Sequence, residues 1–386
     1  MKILHVIDSV NPAHGGPIEG VKQRARVLVS WGHEVTIACS DEPTDKWVRE
    51  FEYPIYPLGP AKSSFRYASR LRPWLSNNFA RFDAVVVNGI WQYHGLAVRQ
   101  ALRRKTVPYF VFPHGMLDPW FKKSFPLKHL KKCAYWRLGE YRVLRDAHEV
   151  LFTCEEERIL AAQSFRPYRV RERVVNYGSG GPPESDPERA NSFLEAYPEL
   201  EGMRIVLFLS RIHPKKGCDI AIKAFASNAE SQPNLRLVMA GPDQVGIVDE
   251  LRELAHSDGV SERIVWPGML TGDLKWDAMR AADLFLLPSH QENFGIVVAE
   301  ALACGTPVLI SNKVNIWREV QAAEAGLVSH DTVEATTDML QRWLAMQEAE
   351  RRAFRQRART LFLDRFEITK SAESLVDAIE RARTNR

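Results

Sequence analysis

A chain of 386 residues, 45% hydrophobic and 26% charged, holds material for about two domains with buried cores, which excludes a disulfide-stapled module and wholesale disorder. Its 52 Lys and Arg against 48 Asp and Glu leave a net charge of +4, which does not mark a nucleic-acid binder, so any positive region must be local. Five widely spaced cysteines, never in C-x-x-C, speak against a disulfide framework or a cysteine zinc site and fit a reducing compartment.

The chain opens with KILHVID (2–8), whose apolar part is shorter than a signal-peptide core, and no apolar run approaches the roughly 18 residues of a membrane span, so a cytoplasmic location is expected. Further short runs follow at VTIACS (35–40), AVVVNG (84–89), YFVFP (109–113) and VLFTC (150–154), with helical stretches between them. That is the pattern of parallel strands covered on both faces by crossover helices, and five such runs predict one sheet. After the first run, NPAHGGPIEG (11–20) carries Gly15 and Gly16, which let backbone approach a ligand closely ahead of a helix N-terminus; a plain turn would read the same. NGIWQYHG (88–95) ends the third run with Asn88, Trp91 and His94, a mixture of aromatic and polar groups that suits a sugar or lipid acceptor as well as a half-buried loop. PHGMLDPW (113–120) puts His114 at a strand end, where a catalytic residue or a structural histidine would stand.

NYGSGGPPESDPER (176–189) replaces apolar periodicity with Gly, Pro, Ser and charge and is the expected interdomain connection. A second set of runs then begins: IVLFLS (205–210), LRLVMAG (235–241), RIVWPG (263–268), DLFLLPS (283–289) and PVLIS (307–311). Directly after the first of these, SRIHPKKG (210–217) sets Arg211 and Lys216 at a strand's carboxyl end beside a helix start, where a diphosphate would meet two cations; a solvated basic loop is the alternative. PSHQENFGIVVAEALACGTPVLIS (288–311) is the most informative stretch. There Glu292 stands in a polar loop, Asn293, Phe294 and Gly295 lead into a helix whose first amides suit an anionic or hydroxyl-rich ligand, and Glu300 lies inside that helix among Val297, Val298, Ala299, Ala301 and Leu302. A carboxylate so placed accepts well from paired hydroxyls. From 331 onward the chain reads as helix.

Together these residues resemble the retaining, nucleotide-sugar-dependent glycosyltransferases of family 4 type, whose GT-B architecture has two facing Rossmann-like domains with a deep interdomain cleft. The resemblance spans nearly the whole chain; its most specific parts are E-N-F-G-I-V-V-A-E (292–300), two glutamates eight positions apart (E-x7-E), and S-R-I-H-P-K-K-G (210–217). It implies an α/β fold with an N-terminal acceptor-side domain over 1–180, a nucleotide-sugar-binding domain over 181–365, and a C-terminal helix, 366–386, crossing back to the first domain. It implies that Glu300 holds the ribose hydroxyls and that Glu292 sits near the transferred sugar. Amides of Asn293, Phe294 and Gly295 would touch sugar and phosphate, Arg211 and Lys216 would neutralise the diphosphate, and Gly15 and Gly16 would admit the donor. His114 would support charge at the anomeric carbon, and Asn88, Trp91 and His94 would face the acceptor. No metal and no obligatory cofactor are expected, the nucleoside diphosphate sugar being a donor substrate. The acceptor would be a glycan or lipid-linked glycan of polysaccharide or lipopolysaccharide type. NYGS (176–179) departs from the Asn-Gly-Val-Asp of many relatives, and His290 is a less usual residue before the motif.

Residues 120–145 concentrate eight Lys and Arg against Glu140 alone, interleaved with aromatics, and peripheral contact with anionic lipid at the inner membrane face is one expectation for them; a core-facing helix with a basic outer face is the other. Two further activities fit the same scaffold: a nucleotide-sugar epimerase, and a non-catalytic sugar-nucleotide binder.

Overall fold

The computed structural model describes residues 1–183 and 191–384; the end of the connecting stretch, 184–189, lies outside them. The chain divides into two compact units, Met1–Gly178 with Ile368–Arg386, and Ser179–Glu367.

The first unit is built on seven parallel strands: β1 (Lys2–Ile7), β2 (Glu34–Cys39), β3 (Ile55–Pro57), β4 (Ala84–Asn88), β5 (Tyr109–Phe112), β6 (Glu149–Phe152) and β7 (Glu172–Val174), in the order β3-β2-β1-β4-β5-β6-β7. Side chains alternate across a strand, so continuous apolar runs serve two cores at once. Leu4, Val6, Val85, Val87 and Val111 face one layer of helices, while Ile3, Ile7, Val86, Phe110 and Phe112 face the other. The second layer includes the helix Gly16–Ser30 and the last helix, Ile368–Thr384, whose Ala372, Leu375, Ala378, Ile379 and Ala382 complete that core. Arg24, 1% exposed, ties the two helices by donating from Nε to Ser371 Oγ at 3.0 Å.

The second unit has six parallel strands: β8 (Arg204–Leu209), β9 (Leu235–Ala240), β10 (Ile264–Gly268), β11 (Leu284–Leu287), β12 (Val308–Ser311) and β13 (Gly326–Ser329), in the order β10-β9-β8-β11-β12-β13. All ten apolar runs read from the sequence are strands. The three additional ones, β3, β7 and β13, are only three or four residues long and lie at sheet edges, where partial burial leaves little apolar signal. Among the described residues no helix is long and apolar enough to cross a membrane.

Candidate active site

Open parallel sheets bind ligands beyond the carboxyl ends of the strands at the point where strand order reverses. In the second unit that point lies between β8 and β11. The loop after β8 is SRIHPKKG and the loop after β11 is PSHQENFG, so topology alone brings together the two sequence motifs that stand 76 positions apart at Lys216 and Glu292.

Their junction is tight. Gly217 adopts a left-handed conformation, φ 67° and ψ 38°, to pass from the short turn Pro214–Lys216 into the helix Cys218–Ala229. A Cβ there would stand 2.3 Å from the Pro288 carbonyl oxygen, so both backbone dihedrals and the close approach of the second loop require glycine. The His290 amide donates to the Lys215 carbonyl at 2.8 Å. Lys216 is 6% exposed and its ammonium contacts a Glu292 carboxylate oxygen. Burial, then the neighbouring Arg211 and Lys215 cations, pull Lys216 down to about 7, whereas the Glu292 carboxylate favours its charged form. Arg211 lies exposed at the rim and donates to Gln244 Oε1 at 3.0 Å.

Gly295, with φ 75° and ψ 61°, turns the second loop into the helix Ile296–Ala303, and Phe294, 5% exposed, anchors it edge-on to Phe366 at 5.5 Å. The backbone of Glu292 is clamped by Lys313 and Asn315 at 2.9 and 3.1 Å. Glu300 is 7% exposed and accepts from Lys275 Nζ at 2.8 Å, so its carboxylate is charge-balanced and held from the neighbouring helix Gly272–Ala281. The unusual His290 pairs with Asp331 at 2.8 Å. The site thus offers two buried or half-buried carboxylates, each with a lysine, a rim arginine and a helix start, an arrangement suited to a ligand carrying both hydroxyls and phosphates.

In the first unit the strand order reverses between β1 and β4. Gly15 (φ 85°, ψ −145°) caps the helix beginning at Gly16, and a Cβ on either glycine would meet nothing within 4 Å. Backbone geometry demands glycine at 15 but not at 16, and no packing neighbour demands it at 16 either. His114 has a left-handed φ of 49°, stacks on Phe112 at 5.3 Å and points Nε2 towards Asn88 Oδ1 at 3.5 Å. Asn88 in turn donates to His5 Nδ1 at 3.2 Å. Burial and the Arg24 guanidinium lower both imidazoles to about 3, so His114 and His5 are neutral at ordinary pH and His114 acts as a hydrogen-bonding group without charge.

Asn88 and His94 are each 1% exposed, and His94 Nε2 lies 3.1 and 3.2 Å from the carbonyls of Asn88 and Gly89. They shape the loop from beneath, and Trp91, half-buried with φ 79°, is the member with surface. Three supporting residues escaped the sequence reading. Glu157, 3% exposed, accepts from the Gly115 amide at 2.6 Å and from Thr153 N and Oγ1 at 2.7 and 2.6 Å, fixing the turn that carries His114. Arg24 lies over the Phe112 and Tyr177 rings at 5.0 and 5.5 Å, behind the histidines. Lys275 carried no signal at all. Tyr177 of the divergent NYGS stretch donates to the Gly16 carbonyl at 3.2 Å, and Gly20 supplies the space its ring needs.

Among the described residues no group of three or more His, Cys, Asp or Glu could hold a metal ion. The family model for glycosyl transferases group 1 matches residues 192–361, and that for a glycosyl transferase 4-like domain matches residues 15–178. A D-inositol 3-phosphate glycosyltransferase of Rhodococcus opacus is 32% identical over 50% of this chain and 44% of its own length, so the match spans less than half of that relative. Mannosylfructose-phosphate synthase of Agrobacterium fabrum is 25% identical over 79% of the chain and 73% of its own length. The crystal structure of Anabaena HepE in complex with UDP-glucose superposes with a TM-score of 0.74 at 18% identity, covering 99% of this chain and 100% of that one. Two parallel Rossmann-like sheets, with these two models matching residues 15–178 and 192–361, place the chain in the group 1 glycosyltransferases, the retaining family 4 of GT-B fold, whose members take nucleotide-sugar donors without an obligatory cofactor.

Proposed function

We propose that this chain transfers a hexose, with retention, from a nucleoside diphosphate sugar to a glycan or lipid-linked glycan acceptor in polysaccharide or lipopolysaccharide type biosynthesis. The observation that carries the reading is the pairing of Lys216 with Glu292 where the second sheet's strand order reverses, with Arg211 on the first of the two loops and Glu300 in the helix that follows the second. In this reading Glu300 accepts from the ribose hydroxyls, and amides of Asn293, Phe294 and Gly295 meet the sugar and phosphate. Lys216 leaves Glu292 for the diphosphate, joined by Arg211, which frees the Glu292 carboxylate for the transferred sugar. The bond between the anomeric carbon and the diphosphate oxygen breaks with its electrons going to the diphosphate. The acceptor oxygen adds on the same face while its proton passes to a phosphate oxygen of the leaving group. Neutral His114 supports the sugar by hydrogen bonding, Gly15 and Gly16 admit the donor, and the loop bearing Asn88, Trp91 and His94 serves the acceptor.

Peripheral contact with anionic lipid, at the inner face of the membrane, belongs to the same proposal. Phe125, Leu127, Leu130 and Leu138 are 43, 78, 69 and 71% exposed, and the helix Pro126–Tyr135, which carries Lys128, Lys131 and Lys132, has no buried residue. The names of the relatives favour one second reading, a small phosphorylated acceptor.

The test is incubation with UDP- and GDP-sugars and either class of acceptor, with proton NMR of the product. Release of the nucleoside diphosphate with a product keeping the donor's anomeric configuration supports the reading, and the productive acceptor chooses between the two classes. Conversion of the donor to an isomer without acceptor would replace it with the epimerase, and binding without turnover with the silent binder.

A further inference from the structure

A cavity of about 760 Å³ in the first unit lies at the opposite end of the sheet from His114. Its walls are the segments that lead into β5, β6 and β7: residues 103–108, then Arg145, Asp146 and His148, and Arg171, with the end of the helix Tyr93–Leu102 and Ala382 of the last helix. Tyr109, the first residue of β5, lines it, whereas Phe112, the last, stacks on His114; along the strand the two are about 10 Å apart.

Six cations line this cavity, Arg99, Arg103, Arg104, Lys105, Arg145 and Arg171, against one carboxylate, Asp146. Asp146 is already committed. It accepts from Arg99 at 2.7 Å on one oxygen and from Arg145 at 2.7 Å on the other. Burial pushes its carboxyl up, but the hydrogen bonds from Arg145 and Arg99 outweigh that and hold it below the usual range, so it stays ionised and neutralises two arginines at most. Arg171 donates to the Ala147 carbonyl at 2.9 Å, which orients it without cancelling its charge. Lys105 lies over the Phe79 ring at 5.6 Å. Arg103, Arg104 and Lys105 make no ion pair among the described residues, and Arg104 takes a left-handed φ of 64° in the turn that presents them. One cation would satisfy the carbonyl end of the preceding helix. Three in succession, joined by cations from two segments 40 and more positions away, exceed that need. His148 and the apolar Leu102, Val107, Pro108 and Tyr109 supply a partly apolar wall.

We propose that this cavity is a second anion site, remote from the candidate active site, which takes a phosphate-bearing ligand through Arg103, Arg104, Lys105, Arg145 and Arg171. The ligand's phosphate is held by guanidinium forks and the rest of it lies on Val107, Pro108 and Tyr109. A soluble phosphorylated molecule and a lipid headgroup present the same chemistry, and the volume falls within the range of small-molecule sites.

Titration calorimetry of the full chain with inorganic pyrophosphate tests it, at about 150 mM salt to screen diffuse attraction. A Lys216→Ala background lowers the donor-site contribution by roughly 10–100-fold. Saturable binding in that background, weakened tenfold or more by Arg103→Ser/Arg104→Ser/Lys105→Ser with an unchanged unfolding temperature, is the expected result. Binding absent from the background, or indifferent to the triple substitution, overturns the proposal. Should the triple variant lose its native unfolding transition, Arg104→Ser alone, at an exposed position, takes its place with the same two outcomes. Co-sedimentation with phosphatidylglycerol vesicles then separates the sources: retention lost with the triple variant assigns a lipid headgroup, and retention unaffected by it assigns a soluble ligand.

Discussion

Lys216 and Glu300 are both nearly buried charges, yet each has one ionic partner, Glu292 and Lys275, so neither is an uncompensated buried ion. Removing a charged group that meets a ligand usually costs about 1.5–3 kcal/mol, or roughly 10–100-fold. Lys216→Ala is therefore expected to lower donor affinity and kcat/KM together by about that factor. Glu300→Ala should weaken donor affinity with kcat nearly kept, and His114→Ala should lower kcat with donor affinity kept; calorimetry beside steady-state kinetics separates the three. The lysine also sets a pH dependence. Its ammonium is charged below its lowered pKa of about 7, and the diphosphate needs that charge, so donor affinity is expected to fall as pH rises from 7 towards 9. Lys216→Arg stays charged throughout and should flatten the profile. A flat wild-type profile, or the same slope in the arginine variant, would count against Lys216 as the diphosphate's partner. Glu157 shows what a sequence conceals at this scale. It is the third of three consecutive glutamates, and only folding makes it the buried one that holds the His114 turn while Glu155 and Glu156 keep contact with solvent.

At the scale of elements, nine of the ten strands read from the sequence sit in the middle of a sheet, where burial on both faces demands apolar residues, and the tenth, the edge strand β10, was legible from its Ile264, Val265 and Trp266 although only Ile264 is buried. The short edge strands β3 and β7 offer less, since neither has a buried residue. The two loops of the donor site were legible as motifs, and sheet order explains why they meet. What could not be read was their mutual dependence: Gly217 is required by Pro288, 71 positions on, as much as by its own dihedrals. Gly217→Ala is accordingly expected to destabilise the protein by about 2 kcal/mol or more, from left-handed strain plus the backbone collision, and to weaken donor binding. Urea unfolding monitored by circular dichroism measures it, and a wild-type midpoint would contradict the packing described for the two loops. Likewise Lys275 gave no sign of serving Glu300, because the pair spans 25 positions and depends on the packing of two helices.

For the molecule as a whole, length and charge indicated two domains and a local basic region, and the strand pattern supplied the class of fold. The last helix belongs to the first unit, a long-range return that periodicity alone does not specify and that the family resemblance implied. Five of its residues are buried in that unit's second core, and a fully buried Leu or Ile is worth about 2–3 kcal/mol. Ending the chain at Glu367 is therefore expected to abolish cooperative unfolding of the first unit, as read by calorimetry, and a native transition in the truncated chain would refute that dependence. The central claim, a nucleoside diphosphate sugar held by Lys216 and Glu300, is tested most directly by thermal unfolding with a panel of UDP-, GDP- and other nucleotide sugars, because a ligand bound to the native state alone raises its stability by mass action. The expected result is a Tm increase with at least one donor that disappears in both Lys216→Ala and Glu300→Ala. No shift with any donor, or a shift that survives both substitutions, would contradict the account.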